Sequence, residues 1–402
     1  MPTAGPDFLF FKQTAQIPSY FVELCLDVTG SGTAVVFSDI CQEPIGGVRF
    51  LAGPRYVRDT AGQRLLTWAK YTMAAFWTAF RTPGKPMLFI VAQPPFLPLL
   101  GYVQKKLAGR HYVLWIDDVW PDVIVSQGLR SESSWVIQMW QAFNRLTYRH
   151  ADHVFTLGPC MRQRVLRYVP PQVEVSIVPT WVDTKLIRPL PKQENPFARE
   201  HGQVGKITAM YSGNLGATHD IQSILEAARR LRHRKDAEFM IIGEGPQWND
   251  VRDSIQANQD PNIILLPFQP AEVLPLSLAT AEIALVSQDR RTAGISMPSK
   301  AYYALAAGAA LAALCPEESD LAYLVRENEC GIRVEPGDPE GLAAGIGMLL
   351  DSQTRLHALR QNARRAAVEK FSREVNTARL RSLLRGDPAA CDSDRQLKGD
   401  GA

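Results

Sequence analysis

The sequence predicts an α/β protein with two doubly wound domains, each a parallel sheet with helices on both faces. Apolar runs alternate with helical patterns along the chain, which is typical of parallel sheets that are covered on both sides. The chain has 402 residues, and at roughly 100–200 residues per domain this length favours two domains. A polar, proline-containing stretch over residues 183–203 separates two series of apolar runs. This stretch is predicted to connect the two domains.

The first half of the chain is predicted to contain seven strands. The apolar runs that predict them are DFLFFK (7–12), TAVVFSD (33–39), VRFLAG (48–53), MLFIVAQ (87–93), YVLWID (112–117), DHVFTLG (152–158) and EVSIVPT (174–180). Helical patterns between them fill residues 64–80, 96–108, 133–149 and 160–168.

The second half is predicted to contain six strands. Their runs are KITAMYSG (206–213), EFMIIG (238–243), NIILLP (262–267), EIALVS (282–287), AALAAL (309–314) and GIRVE (331–335). Ligands of open α/β sheets bind outside the carboxyl ends of the strands, in the cleft that two such domains leave between them. The turns that follow the strands are therefore the places to search for functional residues.

Composition and charge exclude several classes of protein. The net charge is +3, which is too small to argue for a nucleic-acid partner. The six cysteines form no CxxC pair, and scattered cysteines in a chain of this size indicate a reducing compartment. We see no basic start followed by a long apolar core, and no apolar run reaches the length of a membrane span. The sequence thus predicts a cytoplasmic protein, soluble or peripheral to a membrane.

Two strand-to-helix turns are candidates for binding an anion. In YSGNLGATHD (211–220), Gly213 and Gly216 allow close approach of the backbone, and Asn214 and His219 are the nearby polar side chains. Glycines that merely permit the turn are an equally good interpretation of that stretch. In GISMPSK (294–300), Lys300 lies in a predicted first helical turn, after Ser296 or Ser299 as the cap.

The second of these turns has its own alternative, and two further turns are weaker candidates. A solvated lysine is the alternative for Lys300, but its position in a first helical turn after a proline favours a phosphate role, and Arg290 and Arg291 lie shortly before it. IIGEGPQW (241–248) pairs Gly243 with Gly245, and the interpretation that both glycines only permit the turn is the stronger one here. In WIDDVWPDV (115–123), Asp117 or Asp118 ends a strand, where a carboxylate can meet a hydroxyl or act as a base. A capping or Asx-turn role is at least as common for such an aspartate.

Several enzyme classes have no supporting motif. The sequence has no GxSxG nucleophile turn, no HExxH or other metal-ligand cluster, no Walker A lysine and no GxGxxG after a strand. These absences argue against hydrolases, NTPases and nicotinamide-dependent enzymes. What remains is a two-domain protein that holds a diphosphate between strand ends and helix N-termini, with no metal or other cofactor expected.

The chain resembles the family 4 glycosyltransferases of the GT-B fold over nearly its whole length. The similar stretches in the first half are DDVWPDVIVSQGL and ADHVFTLG. Those in the second half are IVPTWVD, MYSGNLGATHDIQSILEAARRL, IIGEGP, PFQPAEVLPLSLATAEIALVS, MPSKAYYALAAG and CGIRVEPGD. The resemblance implies two Rossmann-like doubly wound domains that face each other across a cleft. It is closest to enzymes of bacterial exopolysaccharide, capsule or lipopolysaccharide assembly that have a Pro-Ser-Lys donor motif.

The resemblance also implies a division of labour between the domains. Residues 1–185 would form an acceptor-binding domain and residues 186–370 a nucleotide-sugar-binding domain. Residues 371–386 would form a helix that returns to the first domain, and residues 387–402 a disordered tail. The donor would be a nucleotide diphosphate sugar of the UDP or GDP type. The implied donor-binding residues are Gly213, Asn214, Leu215, Gly216, His219, Gly243, Glu244, Gly245, Ser299, Lys300, Tyr302 and Tyr303, and the implied catalytic residues are Asp117, Asp118 and Lys300.

The chain departs from the family pattern at several of these positions. Asn214 occupies a position where many relatives have arginine, and His219 one where many have lysine. Two glutamates of many relatives are replaced by Ile295 and Tyr303, as is common in the Pro-Ser-Lys subgroup. These departures shift the expected grip on the diphosphate to Lys300.

The activity implied by the resemblance is retaining transfer of a hexose to a glycan acceptor, expected to be lipid-linked, during surface polysaccharide assembly. Two alternatives remain open: a GT-B nucleotide-sugar epimerase, and a degenerate partner that binds nucleotide sugars without catalysis. Two segments also predict contact with an anionic membrane surface. They are residues 64–85, with Trp68, Phe76, Trp77 and Phe80 among cations, and residues 355–385, with nine Lys/Arg against two Glu. A packed helix with a solvated basic face is the alternative for both.

Overall fold

The computed structural model describes residues 5–13, 19–38, 43–57, 60–216 and 219–386. Contacts divide these residues into two compact units. The first contains the described residues up to Pro179, together with Gly294–Ser296 and those from Asn376 onward. The second contains Thr180–Ala293 and Met297–Val375. The tail predicted to be disordered, 387–402, lies outside the described residues.

The first unit contains a seven-stranded parallel sheet in the order β3-β2-β1-β4-β5-β6-β7. The strands are β1 (Phe8–Phe11), β2 (Ala34–Ser38), β3 (Val48–Ala52), β4 (Met87–Val91), β5 (Tyr112–Ile116), β6 (His153–Thr156) and β7 (Val175–Ile177). The helices are α1 (Ser19–Thr29), α2 (Ala61–Arg81), α3 (Pro98–Ala108), α4 (Asp122–Ser126), α5 (Trp135–Tyr148) and α6 (Pro159–Val165).

The second unit contains a six-stranded parallel sheet in the order β10-β9-β8-β11-β12-β13. The strands are β8 (Ile207–Ser212), β9 (Ala237–Ile242), β10 (Ile263–Leu266), β11 (Ile283–Ser287), β12 (Ala310–Leu314) and β13 (Gly331–Val334). The helices are α7 (Pro196–Glu200), α8 (Ile221–Arg230), α9 (Trp248–Asn258), α10 (Leu274–Leu278), α11 (Lys300–Ala306), α12 (Asp320–Glu327), α13 (Pro339–Asp351) and α14 (Gln353–Glu369). The last helix among the described residues is α15 (Arg373–Arg385).

All thirteen predicted strands are confirmed, and each sheet is doubly wound. The strand order reverses between β1 and β4 in the first sheet and between β8 and β11 in the second. A crevice opens at such a point because the connections leave the sheet on opposite faces. In the second unit the turn after β8 contains the predicted Gly213–Asn214 pair, so the topology also indicates this turn as a position for a ligand.

Two predictions about secondary structure were incomplete. Helix α1 was not predicted. The stretch 183–203 is more than a polar connection, because it contains α7 and packs into the second unit. Its Lys192 is buried and donates to Thr208 Oγ1 (2.8 Å) and Glu282 Oε2 (2.6 Å). Asn195 is fully buried, caps α7 and donates to the Leu276 carbonyl (2.8 Å). Polar residues that suggest solvent in a sequence are here paired inside the protein.

Among the described residues, no helix has both the length and the apolar character needed to cross a bilayer.

Candidate functional site

A cavity of about 470 Å³ opens at the carboxyl end of the second sheet, beside the reversal between β8 and β11. Six predicted donor-binding residues line its polar side: Gly213, Asn214, His219, Ser299, Lys300 and Tyr303. The rest of the wall is largely apolar and includes Met210, Ile242, Phe268, Leu274, Leu278 and Val286. The cavity therefore offers one polar end and one end suited to a flat apolar group.

Lys300 is the cation of this cavity. Its ammonium donates to the Tyr211 hydroxyl (2.7 Å) and lies 4.2 Å from the centre of the Tyr211 ring. Among the described residues no carboxylate lies within ion-pair distance of Lys300. Burial lowers the pKa of Lys300 from 10.5 to about 8, so the group is still mostly charged at neutral pH. A partly buried, uncompensated ammonium is costly for the free protein, and an anion in the cavity would offset that cost.

The helix that carries Lys300 contributes less than expected. α11 has only seven residues, and Ser299 at its start makes no capping hydrogen bond. The predicted capping role of Ser299 was therefore wrong. A helix this short has a small dipole, so the ammonium, and not the helix end, provides the positive charge.

The two arginines before Lys300 are already neutralised. Arg290 pairs with Glu335 (2.8 Å), and Arg291 pairs with Asp289 (2.6 Å). The Arg291 guanidinium holds the pKa of Asp289 below its usual value. Because both arginines are paired with carboxylates, Lys300 is the one of these three cations that has no carboxylate partner among the described residues.

His219 belongs to a small polar network at the mouth of the cavity. Its Nδ1 lies 2.7 Å from the Asn214 carbonyl oxygen and 3.0 Å from the Tyr211 hydroxyl. The same Tyr211 hydroxyl donates to the Asn214 carbonyl (2.7 Å). Burial, followed by the nearby Lys300 charge, lowers the pKa of His219. His219 is therefore neutral at neutral pH and leaves Lys300 as the charge.

The helix after this loop does not offer a free N-terminus. Asp220 caps α8 by accepting from the Ser223 amide (3.1 Å). Its second oxygen accepts from the Gly337 amide (2.7 Å). The expectation that this helix start would present unpaired amides to a phosphate was therefore too simple, because a carboxylate of the chain itself occupies part of that position.

Gly243 and Gly245 support the loop that contains Gly213 and do not line the cavity. A Cβ on Gly243 would lie 1.9 Å from the Gly213 carbonyl oxygen, and one on Gly245 would lie 2.7 Å from the Leu215 carbonyl oxygen. The two loops also exchange backbone hydrogen bonds, from Leu215 to Glu244 (2.8 Å) and from Gln247 to Leu215 (3.1 Å). The close approach of the two loops accounts for a glycine at both positions without any contact to a ligand.

Four other predicted donor-binding residues have no side chain in the cavity. Leu215 is fully buried in the core of the second unit, and Gly216 contributes only backbone to the loop. Glu244 is exposed. Tyr302 is buried and packs against Phe371, with ring centres 5.0 Å apart. The helical period explains the last case, because Lys300 and Tyr303 share the cavity face whereas Tyr302 faces the core.

The predicted carboxylates of the first unit differ from each other. Asp117 accepts from the buried Lys12 ammonium (2.7 Å) and from the Trp115 indole (2.6 Å). Asp118 has no hydrogen-bond partner among the described residues, and burial, followed by the Asp117 charge, raises its pKa to about 6. Asp117 is therefore occupied by structural partners, whereas the Asp118 side chain has no such partner among the described residues.

Sequence reasoning missed several residues of the site. Tyr211 was assigned to a strand, yet its hydroxyl is the acceptor for Lys300. Gln247 donates to the Gly216 carbonyl (2.5 Å) and the His219 carbonyl (2.9 Å), which joins both ends of the loop. Phe268 and Leu274 line the apolar wall. Only Tyr211 left a signal, since it lies near the end of β8, two residues before Gly213.

Helix α11 is held at its C-terminal end by two arginines of α14. Arg364 donates to the carbonyls of Ala306 (2.7 Å) and Ile187 (3.1 Å), and Arg360 donates to the Gly308 carbonyl (2.9 Å). These bonds satisfy carbonyl groups that a helix end leaves unpaired. The position of Lys300 is therefore fixed from the opposite end of its helix.

Two family models match the chain. "Glycosyl transferase 4-like domain" matches residues 29–181, and "Glycosyl transferases group 1" matches residues 206–352. The probable glycosyltransferase WbjE of Pseudomonas aeruginosa is 26% identical over 246 residues, which is 61% of this chain and 60% of that protein. The putative colanic acid biosynthesis glycosyl transferase WcaI of Escherichia coli is 27% identical over 74% of this chain and 75% of that protein.

Solved structures show the same fold at low identity. Sucrose-phosphate synthase from Thermosynechococcus elongatus has a TM-score of 0.74 and 16% identity, over 95% of this chain and 99% of the other. HepE of Anabaena, solved in complex with UDP-glucose, has a TM-score of 0.69 and 15% identity, over 94% and 99%. The resemblance found in the sequence is thereby confirmed, and the chain belongs to the family 4 glycosyltransferases of the GT-B fold.

Proposed function

We propose that this protein is a retaining glycosyltransferase that moves a sugar from a nucleotide diphosphate to a glycan acceptor in surface polysaccharide biosynthesis. The observation that carries the proposal is Lys300, an ammonium without a carboxylate partner at the polar end of the cavity. The solved complex of HepE with UDP-glucose and the name of WcaI support the donor class and the process.

The donor fits the cavity by the chemistry of its two ends. The diphosphate would bind at Lys300 and the Gly213–Asn214 loop, and the base would lie against the apolar wall near Phe268 and Leu274. Either a uridine or a guanosine base suits an apolar wall of this kind. The proposed donor type, UDP or GDP, rests on the family resemblance, and the UDP-glucose complex of HepE supports the first of the two.

The proposed reaction needs a positive charge where the leaving group forms. Cleavage of the bond between the sugar and the phosphate leaves a nucleoside diphosphate with new negative charge on its terminal oxygen. Lys300 stabilises that charge without reorganising, since it is already held by Tyr211. The acceptor hydroxyl bonds to the sugar carbon on the face that the phosphate leaves, and its proton passes to the departing phosphate oxygen. Asp118 orients a hydroxyl of the sugar or of the acceptor.

The acceptor is proposed to be a lipid-linked glycan, which places the enzyme at the inner face of a membrane. The names of WcaI and WbjE, which are similar to this chain, specify no acceptor. A lipid-linked acceptor predicts that transfer is faster on vesicles than on a free oligosaccharide of the same sequence.

A screen of thermal shifts with UDP, GDP and ADP tests the donor assignment, because a bound ligand raises stability in proportion to its affinity. We expect one diphosphate to raise the melting temperature of the wild type and to lose this effect in Lys300→Ala. Proton NMR of the first product then reports its anomeric configuration. A product of inverted configuration contradicts retention, and a nucleotide shift that survives Lys300→Ala contradicts the site.

A further inference from the structure

Helices α2, α3 and α5 form an outer layer of the first unit, and this layer has an unusual composition. α3 packs against both α2 and α5. The three helices together carry six Lys/Arg and no Asp or Glu. The whole chain, by contrast, has 44 Lys/Arg and 41 Asp/Glu. The layer is therefore positively charged although the protein is nearly neutral.

The same layer exposes large apolar side chains. Met73 is 65% exposed and Trp77 is 60% exposed on α2, and Trp135 is 72% exposed and Met139 is 60% exposed on α5. Leu65 and Phe80 of α2 are also exposed, at 56% and 50%. Single exposed apolar residues are ordinary, but a cluster on adjoining helices marks an interaction surface.

An apolar groove of about 430 Å³ lies within this layer. Leu65, Trp68, Met73 and Phe76 of α2 form one side of it, and Phe96 forms the other. The Phe96 ring stacks on Trp140 of α5, with centres 4.6 Å apart. The groove therefore makes the apolar surface continuous from α2 to α5.

Arginines lie beside one exposed and one buried tryptophan ring of α2. The Arg81 guanidinium lies 4.1 Å from the centre of the Trp77 ring, and Arg64 lies 5.8 Å from that of Trp68. No carboxylate pairs with Arg64, Lys70 or Arg81 among the described residues. Charges that remain unpaired beside apolar rings are complementary to an anionic, partly apolar surface.

The other basic segment, in α14 and α15, does not offer such a surface. Arg364 is used to bind backbone carbonyls, and Leu356, Leu380 and Leu383 are buried. This segment exposes only the smaller Val368 and Val375, at 42% and 40%, among the large apolar residues that the structure describes there, whereas α2 presents Trp77, Met73 and Phe80 to solvent.

We propose that the α2–α3–α5 layer docks the protein on the anionic surface of a lipid bilayer. The rings of Trp77, Phe80 and Trp135 enter the interface between headgroups and acyl chains, where tryptophan is favoured because its ring is apolar and its N–H is polar. Arg64, Lys70 and Arg81 meet the anionic headgroups. This inference goes beyond the proposed transfer reaction, since binding to vesicles is measured without donor or acceptor.

Vesicle flotation with the full chain tests the proposal. We expect the wild type to float with vesicles of mixed phosphatidylcholine and phosphatidylglycerol and to be released from them by high salt. It should not float with vesicles of phosphatidylcholine alone. Met73→Ser/Trp77→Ser is expected to weaken partitioning at least about tenfold. Lys70→Glu/Arg81→Glu is expected to weaken it by more than about twentyfold, since each cation near the surface contributes about fivefold.

Matched controls lie in the second unit. Met348 is 51% exposed and Lys235 is exposed, so Met348→Ser and Lys235→Glu make the same chemical changes away from the layer. Both controls should float like the wild type, and all variants should keep the melting temperature and the nucleotide-induced shift of the wild type.

Three results would overturn the proposal. They are wild type that does not float with anionic vesicles, Met73→Ser/Trp77→Ser that floats as well as the wild type, and a wild-type dimer in sedimentation velocity that the same variant dissociates. The last result would assign the layer to a second copy of the chain. None of them touches the donor site, so failure here and failure of the proposed transfer reaction remain distinguishable.

Discussion

Replacing Lys300 by methionine should weaken nucleotide binding and, in the same molecule, stabilise the free protein. Methionine keeps an unbranched apolar chain of similar length against Tyr211 but removes the ammonium. The two effects have one cause, because the charge that would grip a phosphate lies partly buried without a carboxylate partner. A residue that is merely structural would not show opposite effects on stability and binding.

The stabilisation follows from the pKa. A fall from 10.5 to about 8 corresponds to at most about 3 kcal/mol at neutral pH. Lys300 keeps some contact with solvent and has a cation–π contact with Tyr211, so we expect a net gain of about 1 kcal/mol. The lowered pKa also predicts how stability depends on pH. Because the unfolded chain binds the Lys300 proton more tightly, the free energy of unfolding of the free wild type rises between about pH 8 and pH 10.5. Lys300→Met should lose that rise.

The binding loss follows from a charge-assisted hydrogen bond. Such bonds contribute about 1.5–3 kcal/mol, so we expect the dissociation constant of the diphosphate to rise about 10- to 100-fold. At a ligand concentration of about 100 times the wild-type constant, the ligand stabilises the wild type by about 2.7 kcal/mol. A hundredfold weaker variant would gain only about 0.4 kcal/mol under the same conditions.

Urea unfolding with and without the diphosphate found in the screen measures both effects. Arg290→Met is the matched control, because Arg290 is a nearby exposed cation that is paired with Glu335. This control should leave binding unchanged and should not stabilise the protein. The reasoning is refuted if Lys300→Met destabilises the free protein and binds the diphosphate as tightly as the wild type does.

Four further predictions concern other residues. Asp118→Asn should lower the transfer rate about a hundredfold and abolish the rise in rate through about pH 6, since the ionised carboxylate with its raised pKa is the active form; a variant that keeps this rise would contradict the role. Asp117→Asn should cost about 3 kcal/mol in urea unfolding by leaving the buried Lys12 unpaired, and Lys12→Met in the same chain should recover part of the loss. Gly243→Ala should abolish the nucleotide-induced shift and cost about 2 kcal/mol, because its Cβ would lie 1.9 Å from the facing loop's backbone. Gly62→Ala, with open space around its Cβ, should instead stabilise the protein by about 0.5–1 kcal/mol, and scanning calorimetry of both glycine variants measures the two changes.

The sheets could be predicted from the sequence because their strands are buried on both faces. A run such as that of β12, in which every residue is buried, must be apolar throughout and is bounded by turn residues. Helix α1 gave no comparable signal, because its sequence has no basic last turn and no acidic first turn to mark its ends. Residues 183–203 were predicted to be a polar connection because their sequence is polar. The burial of Lys192 and Asn195 depends on partners about 80 to 90 positions away in the chain, which the local sequence does not indicate.

Site residues that follow from the sequence of one turn could be predicted. Site residues whose charge depends on an ion pair with a distant part of the chain could not. Lys300 and Gly213 follow from turn chemistry after a strand, and both line the cavity. The difference between Asp117 and Asp118 required Lys12, which lies 105 positions earlier. The neutralisation of Arg290 likewise depended on Glu335. Pairing across the fold decides which charges remain available, and no local pattern encodes it.

The interlocked loops after β8 and β9 have a kinetic consequence. Their backbone bonds, from Gly213 to Ile242 (2.9 Å), Leu215 to Glu244 (2.8 Å) and Gln247 to Leu215 (3.1 Å), continue the pairing of the two strands beyond the sheet. This part of the cavity wall is therefore formed before a donor arrives, and capture involves no loop-folding step there. We expect different sugar nucleotides to associate at nearly the same rate, so that the enzyme distinguishes among them by how long each one stays.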